Sequence, residues 1–143
     1  MNSCRAFCVV PLILLVAMAG CGGGSSFDPN NVTVTVSPPA ATIPASGQVT
    51  LQATVKGSPA APALTWSIAE LQTNGASGSQ CNWSGATPPA GPCPDGTIQG
   101  ADASSLTVTF LAPSTSGTFH VVAEANVSLT LVKDGTAVIT VSP

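Results

Sequence analysis

The chain has 143 residues, of which 44% are hydrophobic and only 6% charged, with a formal net charge of -3. That length holds one domain with a core of its own. Once the segment carrying Arg5 is set aside, Lys56 and Lys133 are the only cationic side chains, too few to neutralise a phosphate backbone or an anionic lipid surface, so nucleic acid is not an expected partner.

Arg5 supplies the single positive charge of the N-terminal segment, and Ala6 to Ala19 is almost wholly apolar, interrupted by Cys8 and Pro11. The run falls short of the roughly 20 residues that a spanning helix needs, so a cleaved signal is expected rather than a permanent anchor. It ends in Met18-Ala19-Gly20-Cys21, followed by Gly22-Gly23-Gly24-Ser25-Ser26. This order resembles the lipobox of bacterial lipoproteins, with Met18 where that pattern usually has Leu. The resemblance implies cleavage before Cys21, diacylglycerol on its thiol, loss of residues 1–20, and a flexible Gly/Ser tether over 21–30. An ordinary secretory signal and a buried structural cysteine are the alternatives.

Cysteine usage fits this scheme. Cys4 and Cys8 leave with the signal and Cys21 is acylated, so Cys81 and Cys93 remain as one pair, in an oxidising compartment. A metal at that pair would need two further ligands, and the only histidine, His120, is far away in sequence. No metal or cofactor is expected.

Beyond the tether, Val32, Val34 and Val36 alternate with Thr33 and Thr35, the period of a strand with one buried face. Pro38, Pro39 and Pro44 leave room only for a short edge piece at Thr42-Ile43, and Ser46-Gly47 turns the chain. Val49, Leu51, Ala53 and Val55 predict a second strand; Leu64, Trp66 and Ile68 predict a third. From Glu70 to Gly96 the alternation stops in a long loop rich in Gly, Ser and Pro. A Cys81–Cys93 bridge would staple this insertion and remove about 3 kcal/mol of unfolded-state entropy, with the loop lying outside the core, so that reduction frees it while the sandwich persists. Alternation resumes at Leu106, Val108 and Phe110, continues inward at Phe119, Val121, Ala123, Ala125, Val127, Leu129 and Leu131, and returns at Ala137, Ile139 and Val141. A three-residue hairpin at Lys133-Asp134-Gly135, with Gly135 left-handed as a bulge, would pair Leu131 with Ala137 and Leu129 with Ile139.

The strings VTVTVSPPAATIPASGQVTLQATV, LTWSI, FLAPSTSGTFHVVAEA and AVITVSP together resemble a bacterial immunoglobulin-like (Big-type) domain. The resemblance covers about residues 31–69 and 97–143 and leaves the cysteine loop as a departure. It implies an all-β, Ig-like Greek-key sandwich of about seven antiparallel strands with Trp66 in the core, occupying 31–143 with a loop insertion at about 70–96. Such modules act mainly as spacers, adhesive segments and interaction domains, and the family supplies no catalytic residue to carry over. The near-identical strings Val34-Thr35-Val36-Ser37-Pro38 and Ile139-Thr140-Val141-Ser142-Pro143 would suit one unit of a tandem array.

His120 falls between two inward residues, so strand parity points it outward. No serine lies in a GxSxG elbow. Asp95-Gly96, Asp102 and Asp134-Gly135 suggest turns rather than a calcium loop. The sequons at Asn31, Asn82 and Asn126 carry no weight in a bacterial lipoprotein. Trp83 stands out as a large apolar residue inside a polar, bridged loop: it either caps the edge of the core or contacts a partner or sugar. The chain is therefore expected to be no enzyme. The two resemblances imply a lipid-anchored envelope protein, at the outer membrane or cell surface in a Gram-negative host, working as a structural, adhesive or interaction module. The alternative is a specific binder of protein or glycan through the loop around Trp83.

Overall fold

The computed structural model describes residues 27–58, 62–70, 81–83 and 93–143, with the side chain of Trp83 outside that description. Asp28 accepts a hydrogen bond from the Asn30 N–H at 2.9 Å and so caps a single 3₁₀ turn, Pro29–Asn31, that begins on a proline. A proline there gives up no hydrogen bond, because the first N–H of such a turn has no partner within it. Nine strands follow among the described residues: β1 (Thr33–Ser37), β2 (Ala40–Pro44), β3 (Gln48–Lys56), β4 (Leu64–Ile68), β5 (Asn82–Trp83), β6 (Thr97–Gln99), β7 (Thr107–Leu111), β8 (Gly117–Ser128) and β9 (Leu131–Ser142).

They form two sheets, ordered β1-β3-β7-β6-β5 and β2-β9-β8-β4. The chain is an all-β sandwich. β1, β3, β7 and β6 stand where strands A, B, E and D stand in an immunoglobulin sandwich, and β4, β8 and β9 stand as C, F and G. After β1 the chain crosses at the cis Ser37-Pro38 bond and joins the other sheet as β2.

The alternation read from the sequence sets the core. Val34 and Val36 of β1, Leu51 and Ala53 of β3, Trp66 and Ile68 of β4, and Ala137, Ile139 and Val141 of β9 all turn inward and are buried, while the intervening threonines of β1 face out. No polar or charged residue among those described is buried in this core. Phe110 of β7 meets Phe119 of β8 across the sandwich, ring centroids 6.2 Å apart and tilted by 39°, a geometry that aromatic quadrupoles favour. Trp66 is 2% exposed, and its indole N–H donates to the Ser105 carbonyl at 2.8 Å, so its one polar atom is satisfied.

Four sequence expectations are corrected. The sheets are not purely antiparallel and have more than seven strands: β2 pairs in parallel with β9, and β5 in parallel with β6. The edge piece at Thr42-Ile43 is β2, and its partner runs in the same direction because the chain changes sheets instead of turning back. Strand β6 was hidden in the sequence by its brevity, although Gly96 and Gly100, both at positive φ (94° and 81°), bracket it.

The third correction concerns the hairpin. Lys133-Asp134-Gly135 lies within β9; the turn is at Leu129-Thr130, Ser128 pairs with Leu131, and a bulge falls between Asn126 and Ser128. Val121 thus pairs with Ala137 and Phe119 with Ile139, while Leu129 is fully exposed. The glycine has a different purpose from the expected one. A Cβ on Gly135 would come 2.8 Å from the Val34 carbonyl oxygen, so the missing side chain lets β1 pass close over β9. Fourth, Leu106 precedes β7 and is 45% exposed; its backbone carbonyl, not its side chain, holds the sheet by accepting from the Ala53 N–H at 2.7 Å.

Candidate functional site

Cys81 and Cys93 are joined in a disulfide with Cα atoms 5.7 Å apart. The bridge is rooted in the core and does not hang beside it. Cys81 is completely buried and packs in the same cluster as Ile98, Phe110 and Trp66, and Cys93 is partly buried against that cluster. The Cys81 carbonyl accepts from the Ile98 N–H at 2.9 Å, which starts the short parallel ladder Asn82↔Ile98 and Trp83↔Gln99. The expectation of an insertion without a share in the core is overturned at its root: the segment entering the loop is the outermost strand of a sheet.

Asn82, noted in the sequence only as a sequon, connects the two sheets. Its Nδ2 donates to the Trp66 carbonyl at 2.5 Å. In the β4–β8 ladder, Ala63 bonds toward β8 through the Asn126 N–H, so by alternation the Trp66 carbonyl points to the open edge of β4, where Asn82 covers it. The Oδ1 of Asn82 is buried with no hydrogen-bond partner. An amide held this way is unsuited to carry a glycan, which removes the sequon at that position on physical grounds. The backbone of Trp83 sits in β5 at the sheet edge, while its side chain and the loop residues 84–92 lie outside the described residues.

At the start of β8, His120 faces outward as parity required, with its side chain 44% exposed. It is not a lone surface imidazole. The Glu70 carboxylate, just past β4, accepts from the His120 backbone N–H at 3.0 and 3.2 Å and stands 2.5 Å from its Nδ1. Partial burial pushes the Glu70 carboxyl up, but hydrogen bonds from the His120 backbone and ring outweigh it and hold the group below its ordinary value of 4.5. The pair fastens the end of β4 to the first residues of β8. Sequence reading missed it because fifty residues separate the partners.

Asp102 accepts from the N–H and hydroxyl of Ser104 at 3.1 and 2.9 Å, a local turn that holds its carboxyl below the usual range through bonds to Ser105 and Ser104. Asp134 is on β9 and not in a turn. Among the described residues, no three His, Cys, Asp or Glu side chains gather as a metal site. No helix among the described residues is long and apolar enough to cross a membrane. Cys21 and the apolar run before it lie outside the described residues.

No family model and no curated protein matches the chain. Among solved structures it is similar to a nucleoside hydrolase-related hypothetical protein from Saccharophagus degradans associated with carbohydrate metabolism, with a TM-score of 0.47 and 18% identity over 78% of this chain. The chain spans 25% of that protein's length.

Proposed function

We propose that the protein is a lipid-anchored immunoglobulin-like module of the bacterial cell envelope, acting through its fold and its anchor. The observation that carries this is the order of parts: an apolar run ending in Ala19-Gly20-Cys21, a Gly/Ser stretch, and then, from Asp28, a single sandwich. The anchor is the thiol of Cys21, and the membrane is the one partner the scheme requires. Gly22 after the cysteine favours the outer membrane in a Gram-negative host, by resemblance to lipoprotein sorting. Scarce aromatics, 4% of the chain with no tyrosine, favour a structural or adhesive role over tight recognition, since tyrosine, tryptophan and arginine dominate binding hot spots. No residue is assigned a catalytic part.

A second role, recognition of a protein or glycan by the loop around Trp83, draws support from the rooting of that loop in the core through Cys81 and its clamping by Asn82. A stiff base lowers the entropy lost when a loop binds. Envelope extract passed over the full chain and over Trp83→Ala, with a melting curve of each, separates the two. Loss of a captured partner at unchanged melting temperature favours recognition. No partner for either chain favours the structural role.

A further inference from the structure

Four large hydrophobic side chains are exposed among the described residues: Phe27, Leu106, Leu129 and Val132. Scattered singly they would need no explanation. Three of them are not scattered: Leu129 and Val132 at the tip of the β8–β9 hairpin and Phe27 just before β1 lie toward one end of the sandwich, whereas Leu106, opposite Ala53 and so level with Val36, stands farther up the sheet. Thr33 opens β1 opposite Lys56 at the end of β3, and Gly57 lies against Asn31. The Asn126 N–H bonds the Ala63 carbonyl, and the Leu64 N–H bonds the Ala103 carbonyl, which brings the end of β8, the start of β4 and the approach to β7 to that same end. Phe27 immediately precedes the capped turn that leads into β1.

Leu129 reaches furthest. Gly135 lies against Val34, and β9 extends from Gly135 back to Leu131, so the Leu129-Thr130 turn stands roughly 13 Å beyond the level of Val34. The chain enters the sandwich at this end too. Only six residues separate Cys21 from Asp28, and whatever path they take they span at most about 25 Å.

We infer that this end of the sandwich rests on the bilayer that holds Cys21, with Leu129 and Val132 at the tip of the β8–β9 hairpin entering the interfacial region and Phe27 beside them. The inference rests on the anchor proposed above. A leash this short keeps the end near the lipid, and apolar side chains at a membrane boundary are buried to a depth of roughly 5–10 Å. Charge does not drive the contact: Lys56 and Lys133 are outnumbered at this end by Asp28, Asp102, Glu124 and Asp134, so the surface it fits is zwitterionic rather than anionic. The opposite end, with Glu70, His120 and the disulfide, is thereby turned outward, where a partner can reach it.

The full acylated chain in phosphatidylcholine vesicles tests this, with a nitroxide on Leu129→Cys and, in a second protein, on Thr115→Cys in the exposed segment before β8 at the other end. Both side chains are exposed, which keeps either label from disturbing the core. The expected result is a severalfold higher ratio of collisions with oxygen to collisions with a water-soluble nickel chelate at 129 than at 115. Vesicle-bound protein with equal, water-like ratios at both positions overturns this inference and leaves the anchor standing. Protein that does not stay with the vesicles overturns both.

Discussion

At the scale of single residues, Gly135 and Glu70 show how much depends on one atom or one charge. Gly135→Ala would force a methyl group to within 2.8 Å of the Val34 carbonyl oxygen, and the two sheets would have to part at that point. A loss of about 1–3 kcal/mol in a denaturant melt is expected. Glu70 acts through charge. Its folded-state carboxyl is held below the ordinary value of 4.5, so its contribution to stability is fully present above that pH and disappears as the pH falls through the lower, folded value. Glu70→Gln should therefore cost about 1 kcal/mol at neutral pH, and melting curves taken at decreasing pH should show the gap between variant and parent closing below 4.5. A gap that stays constant into acid would mean that the carboxylate charge is not what fastens β4 to β8.

At the scale of elements, the bridge has the clearest consequence. Because Cys81 belongs to the core cluster and its carbonyl starts the β5–β6 ladder, breaking the disulfide acts on a sheet edge as well as on a loop. The pair Cys81→Ala with Cys93→Ala is expected to lose about 3 kcal/mol, with faster hydrogen exchange at Ile98 and in β6, not only in the loop; exchange confined to the loop would return the bridge to a staple outside the core. Which elements were legible in the sequence follows from the same physics. Strands that bury one face on a two-residue period, such as β1, β3 and β4, announce themselves, and so does a lone cysteine pair. A two- or three-residue strand such as β5 or β6 has too few positions to show a period. The β8–β9 turn was misplaced because Asp134-Gly135 is a strong turn signal, and the reason for that glycine, the close approach of Val34 on a strand far earlier in the chain, is not local. The Asn82 clamp and the Glu70–His120 pair were illegible for the same reason: their partners are fixed only once the sheets have formed.

At the scale of the whole molecule, the fold supplies the body and, in the function proposed above, the N-terminal segment supplies its address. A sandwich whose inward residues are all apolar among those described, with its chain entering at the end that carries Phe27, Leu129 and Val132, suits a module that stands on a lipid surface and presents its far end. Cys21→Ser should move the protein from the membrane fraction to the soluble envelope fraction while leaving its melting temperature unchanged, because the substitution removes the proposed lipid attachment and alters none of the buried residues of the sandwich core. The central claim, that Cys21 is the acylated first residue of the mature protein, is tested most directly by the intact mass of the protein recovered from the membrane fraction, together with the mass of its N-terminal peptide. The account predicts a chain that begins at Cys21 and carries the added mass of diacylglycerol on that residue. A mature chain that begins elsewhere, or one that begins at Cys21 with a free thiol, would contradict it.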